Sequence, residues 1–170
     1  MTHWLSRYGL EEVSQWFFEV WNEPNLDAFW KGTQADYFKL YQYTAEAVKT
    51  VHPALKVGGP ATANNEWITE FLEYCKKNNT PVDFISTHHY PTDSFGKPGD
   101  DTIAQLAQSE RSVLKKEAAA VKRNSQGKPV DYTEWSTSSN PGDDLHDEPY
   151  AAAFITKTAM EEKGLVEGYS

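Results

Sequence analysis

The chain has only one cysteine, Cys75, among its 170 residues. It therefore cannot form an internal disulfide, and nothing in it requires an oxidising compartment. No apolar run approaches the roughly 20 residues that a transmembrane helix needs. Basic residues are outnumbered, 16 against 25 acidic ones for a formal charge of −9, and they form no basic patch. We therefore expect neither a membrane nor a nucleic acid as a partner.

Several common signatures are also missing. No Gly-x-Ser-x-Gly elbow, P-loop or Gly-x-Gly-x-x-Gly turn follows a predicted strand. Residues 1–7 lack the charged and apolar regions of a signal peptide. Aromatic residues, in contrast, are frequent, with six Trp, nine Tyr and eight Phe. That content excludes a disordered chain and indicates a folded body or an aromatic-lined cleft, and the length indicates one domain.

Strand-like and helix-like segments alternate along the chain. Runs rich in β-branched and aromatic residues predict strands over 16–21, 55–60, 82–87, 130–133 and 165–169. Apolar residues three and four apart predict helices over 35–52, 65–77, 101–123 and 147–163, after a helix that ends near Gln15. Polar loops are expected at 91–100 and 136–144. This alternation predicts an α/β fold with a parallel sheet, in which the loops after the strands carry the chemistry.

Two glutamates stand at predicted strand ends beside tryptophan. Glu23 follows Trp21 in the run Trp-Asn-Glu-Pro, and Glu134 precedes Trp135 in the run Tyr-Thr-Glu-Trp. In one parallel sheet both side chains emerge at the same edge, where paired carboxylates are the catalytic groups of glycoside hydrolases. Either glutamate alone can equally be a turn cap or an ion-pair partner. The pair at equivalent positions predicts a catalytic centre.

A third strand end carries the run Ser-Thr-His-His-Tyr-Pro, residues 86–91. His88 and Tyr90 share a face of an extended strand and can both hydrogen-bond a carboxylate or a sugar hydroxyl. His88 and His89 point to opposite faces, which disfavours a shared metal ion. The alternative is an aromatic plug that closes the end of the sheet. We predict no metal and no organic cofactor.

These segments together resemble glycoside hydrolase family 39, which contains bacterial β-xylosidases and lysosomal α-L-iduronidases. The resemblance rests on residues 21–25, 83–90 and 132–138, and on His146-Asp147 ahead of an alanine-rich helix. It runs over essentially the whole chain. It implies a (β/α)8 TIM barrel, here a partial barrel from about strand 4 to the start of strand 8. Residues 1–170 would form part of a single catalytic barrel, with strands 1 to 3 absent.

The resemblance also implies a role for each residue of the centre. Glu23 would be the general acid/base and Glu134 the nucleophile. Asn22 would bind the sugar 2-hydroxyl, Tyr90 would hold Glu134 ionised and oriented, and His88 would contact the sugar or the acid/base region. Apart from the resemblance, Trp21 and Trp135 flank the two glutamates in sequence, and either one can wall the pocket. Asn22, His88, Tyr90 and Trp135 are therefore the expected substrate-binding residues.

The implied function is a retaining glycoside hydrolase, with an exo-acting β-xylosidase favoured. Its substrate would be a xylo-oligosaccharide or an aryl or alkyl xyloside. An α-L-iduronidase, a β-glucosidase and a non-catalytic carbohydrate-binding barrel remain alternatives. Because an open half barrel exposes two sheet edges, we expect homo-oligomers through those edges and poor activity of the isolated chain. A bacterial cytoplasmic or periplasmic location is favoured.

Overall fold

Five parallel strands form one sheet in the computed structural model, which describes residues 1–93 and 101–170. Each strand pairs with the next one along the chain, so that the spatial order is β1-β2-β3-β4-β5. The strands are β1 Phe17–Glu19, β2 Lys56–Thr62, β3 Phe84–His88, β4 Val130–Glu134 and β5 Gly168–Tyr169. Consecutive parallel neighbours arise when each right-handed crossover advances in one direction, as it does in barrels. The predicted α/β fold with a parallel sheet is confirmed.

Among the described residues, two α-helices precede the first strand and five fill the connections between the strands. Their bounds are α1 Thr2–Tyr8, α2 Leu10–Val13, α3 Gln34–Val51, α4 Ile68–Lys77, α5 Thr102–Gln108, α6 Val113–Asn124 and α7 Pro149–Glu161. Short 3-10 turns at Ala63–Asn65 and Asp144–Asp147 precede α4 and α7. Among the described residues, no helix combines the length and the apolar character needed to cross a bilayer.

The longest helix, α3, shows how the sequence forms these elements. Thr33 and Asp36 make a capping box, in which each side chain bonds the other's backbone amide. Five side chains spaced three and four apart are buried on one face: Tyr37, Phe38, Tyr41, Ala45 and Val48. The Tyr37 hydroxyl lies between two carbonyls, 3.0 Å from Val20 O and 2.9 Å from Pro60 O. It therefore fastens the helix to the ends of β1 and β2, where the following loops begin.

The prediction of one long helix over 101–123 is wrong. The segment forms α5 and α6, separated at Ser109, whose backbone is extended with φ −73 and ψ 145. The Ser109 hydroxyl donates to Leu106 O at 2.9 Å and closes the end of α5. Apolar spacing continues through the break, so periodicity could not locate it. The loop predicted before this segment, at 91–100, is described only as far as Asp93.

The core lies between the sheet and helices α3, α4 and α6. Its largest fully buried side chains include Tyr41, Phe71, Leu55 and Ile85. A smaller cluster of Ala118, Tyr132 and Val166 lies under the last two strands. Successive residues of a strand point to opposite faces of the sheet, so the strands contribute side chains both to this core and to the other face.

The other face of the sheet is open and partly polar. Phe17, Glu19, Phe84, Asp131 and Thr133 line a concave space together with residues 167–170. Phe17 is 52% exposed there and meets the Phe84 ring edge-on at 4.9 Å. Gly58 lies beside that ring, where a β-carbon would stand 2.5 Å from Phe84 O. This face is the inner side of the curved sheet.

Candidate active site

Glu23 is held in an unusual backbone conformation just after β1. Its φ is 43°, and Trp21 before it has a φ of 72°, a region that non-glycine residues rarely adopt. The Glu23 amide donates to Ala61 O at 2.8 Å, which joins the loop after β1 to the end of β2. The carboxyl group is 12% exposed. Strain kept at such a position is typical of a functional site.

Asn25 locks this loop in place. Its side-chain amide donates to Ala63 O at 3.1 Å, and its carbonyl oxygen accepts from Ala63 N at 2.9 Å. The same amide reaches Glu66 Oε2 at 3.2 Å. Asn25 belongs to the motif at residues 21–25, for which the sequence pattern predicts no role at this position. Its position directly after Glu23-Pro24 was the available signal, since asparagine commonly orders a turn through its backbone.

His88 ends β3 and lies between the two glutamates. Its side chain is 1% exposed, and its Nδ1 is 3.0 Å from Glu23 Oε1 and 3.6 Å from Glu134 Oε2. Within the described residues, the buried Nε2 has no hydrogen-bond partner. His88 is therefore oriented entirely through its Nδ1 side, toward the pair of carboxyl groups.

Glu134 ends β4 and receives a hydrogen bond from Tyr90. The Tyr90 hydroxyl donates to Glu134 Oε2 at 3.1 Å. Burial, and then the neighbouring Glu134 charge, hold the pKa of Tyr90 well above its usual value, so that the hydroxyl stays a donor. The Glu134 side chain is 43% exposed, against 12% for Glu23. The two carboxyl groups thus stand in different environments, as acid and nucleophile roles require.

The carboxyl groups are close together. One oxygen of Glu23, Nδ1 of His88 and one oxygen of Glu134 all lie within 4.8 Å of one another. Retaining glycosidases hold their two carboxyl groups about 5–5.5 Å apart, whereas inverting enzymes need about 6.5–9.5 Å to admit a water molecule. The closest approach of the two groups, at most 4.8 Å between single oxygen atoms, is in line with the shorter of these two separations. Within the described part of the chain, Glu23, His88 and Glu134 also have ligand atoms that are close enough together to hold a metal ion.

The remaining expected site residues lie differently. Asn22 is half-buried next to Glu23. Trp135 packs its ring on Tyr169, with centroids 4.8 Å apart, and contacts the cluster around Tyr132. The structure therefore brings Glu23, His88, Tyr90 and Glu134 together by direct contacts, and Trp135 directly follows Glu134 in the chain.

Asp93 is a third carboxyl group at this rim, which the sequence analysis did not single out. Its Oδ2 accepts from the Tyr90 amide at 2.9 Å and lies 3.9 Å from His89 Nδ1. Burial, opposed by that amide, raises the pKa of Asp93 to about 6, and the negative Glu23 adds to the rise. Its position three residues after Tyr90 in a turn was a weak signal, because many aspartates order turns without further function.

The fold and site together define a class. The sheet is half of a parallel barrel, and two glutamates face each other beyond the C-terminal ends of its first and fourth strands. This arrangement is typical of a glycosidase barrel. The sequence profile described as Glycosyl hydrolases family 39 matches residues 1–170. The chain belongs to this family.

Relatives with known activities and structures agree. The chain is 50% identical over 160 residues to a beta-xylosidase of Caldicellulosiruptor saccharolyticus, covering 94% of this chain and 33% of the relative. A beta-xylosidase of Geobacillus stearothermophilus is 41% identical, covering 100% of this chain and 36% of the relative. A solved monomeric beta-xylosidase from Caulobacter crescentus CB15 superposes with a TM-score of 0.85 at 43% identity, covering 98% of this chain and 36% of that one.

The chain therefore spans about a third of the length of these relatives. Its five strands correspond to one side of a complete barrel. The predicted partial TIM barrel and the predicted family are both confirmed.

Proposed function

We propose that this chain supplies the catalytic carboxyl groups of a retaining, exo-acting β-xylosidase. The observation that carries the proposal is the grouping of Glu23, His88 and Glu134 within 4.8 Å at one edge of the sheet. Two beta-xylosidases that share 50% and 41% of their aligned residues with the chain support xylosides as the substrate class. Because the chain spans a third of them, the activity is proposed for the barrel completed by further residues, strands 1 to 3 among them.

In the first step, Glu134 attacks the anomeric carbon of the sugar. Glu23 donates its proton to the departing glycosidic oxygen, the bond to the aglycone breaks, and a covalent glycosyl–Glu134 ester forms. The position of Glu23 suits this step, since its carboxyl group faces Glu134 across the site and its side chain is only 12% exposed.

In the second step, Glu23 acts as a base. It removes a proton from water, which attacks the anomeric carbon and releases the sugar with the configuration it had in the substrate. His88, 3.0 Å from Glu23 Oε1, keeps that carboxyl group in one orientation through both steps. The reaction requires no metal and no organic cofactor.

The surrounding residues prepare the nucleophile and bind the sugar. Tyr90 donates to Glu134 Oε2 at 3.1 Å and so holds the attacking carboxyl group in one orientation. Asn22 stands beside Glu23, where its amide can bond the 2-hydroxyl, a contact that strengthens in the transition state. Trp135, next to Glu134, would wall the pocket, with its ring held in place by packing on Tyr169.

The test is covalent trapping with 2-deoxy-2-fluoro-β-D-xylosyl fluoride. Fluoride leaves without protonation, so labelling requires only a nucleophile placed at the anomeric carbon. We expect slow labelling of the 170-residue chain, mapped to Glu134 by peptide mass spectrometry. Glu134→Gln should not be labelled. An adduct at a residue other than Glu134, or no adduct when strands 1 to 3 complete the barrel, would overturn the proposal and favour a non-catalytic sugar-binding barrel.

A matched variant separates the two carboxyl roles. Glu23→Gln should still be labelled, because the first step with a fluoride needs no acid, but its adduct should persist for lack of a base. Added azide should then release the adduct as a β-xylosyl azide, since an anionic nucleophile needs no base. Reagents built on glucose or iduronic acid in place of xylose test the alternative substrates, and faster labelling by either would replace the xyloside assignment.

A further inference from the structure

A hydrogen bond between described residues crosses the concave face, from the strand that precedes Glu23 to the strand that ends in Glu134. The Thr133 hydroxyl donates to Glu19 Oε2 at 2.7 Å, between residues 114 positions apart in the chain. Glu19 is the last residue of β1, and Thr133 lies in β4. Two other strands separate them in the sheet, about 14 Å along a flat sheet at ~4.8 Å a strand. The bond therefore exists only because the sheet curves.

Both partners are close in sequence to the carboxyl groups. Glu134 directly follows Thr133, and Glu23 comes four residues after Glu19. The Glu19–Thr133 bond thus joins the same two sides of the sheet as the Glu23 and Glu134 pair, but it lies nearer the N-terminal ends of the strands. Glu19 and Thr133 are both half-buried in the concave space beside Asp131.

Thr133 is also the extra residue of a β-bulge. In the pairing of β3 with β4, Thr87 is opposite Tyr132 and His88 is opposite Glu134, so Thr133 has no partner. Side chains alternate along a strand, and without the bulge Glu134 would point to the opposite face from Thr133. With it, Glu134 lies beside His88 and faces Glu23. The direction of Glu134 therefore depends on a residue that the ladder of hydrogen bonds leaves unpaired.

We propose that the Glu19–Thr133 hydrogen bond is a positioning contact that holds this bulge and thereby sets the distance between Glu23 and Glu134. The inference rests on the proposed function, in which that distance decides between retention and inversion. Neither residue touches the sugar or the reacting atoms. The bond acts by keeping β1 and β4 at a fixed separation and by giving the unpaired Thr133 one conformation.

The charges around Glu19 favour this arrangement. Asp131 lies on the same face, and its pKa is raised by burial and then by the negative Glu167 and Glu19. Lys56 counteracts part of that rise. Two acidic groups of the concave space therefore repel each other, and a donor from Thr133 gives Glu19 a preferred direction toward β4.

A set of variants tests the contact by the labelling of Glu134. Thr133→Val keeps the shape of the side chain and removes the donor, and we expect labelling to slow by about tenfold or more, with little change in the inactivator concentration at half-maximal rate. Thr133→Ser should restore most of the rate. Glu19→Ala should cause a similar loss, and the double variant should lose no more than either single one, because both remove the same bond.

Thr87→Val is the matched control. Thr87 also donates a buried hydroxyl, to Thr62 O at 3.0 Å, but this bond joins neighbouring strands. We expect a loss of stability with an unchanged labelling rate at temperatures well below unfolding. Losses that add in the Glu19 and Thr133 double variant, or a Thr133→Val rate equal to that of the unchanged chain, would overturn the positioning role.

A crystallographic measurement keeps this test separate from the proposed function. In Thr133→Val, the nearest Glu23 and Glu134 oxygens should move apart from within 4.8 Å to beyond about 6 Å, outside the retaining range. An unchanged separation overturns the positioning contact even if Glu134 is labelled. A widened separation supports it even if the unchanged chain is never labelled, which would contradict only the proposed function.

Discussion

Replacing Glu162 with glutamine should remove a strong dependence of stability on pH. Glu162 follows α7, is 1% exposed, and accepts a hydrogen bond from the Tyr169 hydroxyl at 2.9 Å. Its other carboxyl oxygen has no partner among the described residues. Burial, opposed by the Tyr169 bond, raises the pKa of Glu162 from 4.5 to about 7. The folded chain therefore binds a proton that the unfolded chain releases.

The sign and size follow from linkage. A raised pKa in the folded state contributes stability that is complete below the unfolded value of 4.5 and is lost as the pH rises through about 7. At about 1.4 kcal/mol for each pKa unit, the group costs the fold about 2–3 kcal/mol between pH 5 and 8. Glutamine keeps an acceptor for Tyr169 and cannot ionise. Between pH 5 and pH 8 the free energy of unfolding of the unchanged chain should therefore fall by about 2–3 kcal/mol more than that of Glu162→Gln.

The assay is urea unfolding followed by tryptophan fluorescence at pH 5, 6, 7 and 8, at one protein concentration. Trp135 reports on this region because its ring packs on Tyr169. Glu161→Gln is the matched control, since Glu161 is paired with Lys157 at 2.7 Å and its pKa is lowered by hydrogen bonds from that lysine. Its titration ends below pH 5, so that its curve should parallel that of the unchanged chain. Parallel curves for Glu162→Gln would refute the assignment of a buried, protonated carboxyl group.

Three further outcomes are expected. Tyr90→Phe removes the donor to Glu134, and the rate of covalent labelling should fall about 10- to 100-fold, as for loss of a hydrogen bond to a charged group; a rate within twofold would contradict this role. Burial lowers the pKa of His89 to about 4, so stability present above about pH 6.5 should be lost as the pH falls through 4. In urea unfolding, the free energy of unfolding should fall between pH 7 and pH 4 by about 3 kcal/mol less in His89→Gln than in the unchanged chain. An equal fall in both proteins would contradict the burial of a neutral His89. The open edges of β1 and β5 should make the isolated chain associate at micromolar concentration, and a monomer by light scattering would count against this.

Local signals in the sequence were enough for the architecture. Strands were recognisable because they are short and rich in aromatic and β-branched residues, as at Phe84–His88. Helices were recognisable because apolar residues recur every three or four positions on one face, as in α3. Parallel strands present their carboxyl ends at one edge, so the placement of Glu23 and Glu134 at two strand ends already implied that they meet. Family membership followed from the motifs around them.

Other features depended on contacts between residues far apart in the chain. The helix break at Ser109 and the packing of Trp135 on Tyr169 could not be predicted from the spacing of apolar residues. The bulge at Thr133 is a property of the pairing of β4 with β3, and its hydrogen bond to Glu19 forms only after the sheet has curved.

The sequence by itself determined which residues end the strands, and therefore which groups can reach the catalytic edge. The tertiary structure alone decided their distances, their exposure and the protonation of Glu162. Hydrogen bonding and desolvation act over a few ångströms between segments that are distant in the chain, and such distances exist only in the folded molecule.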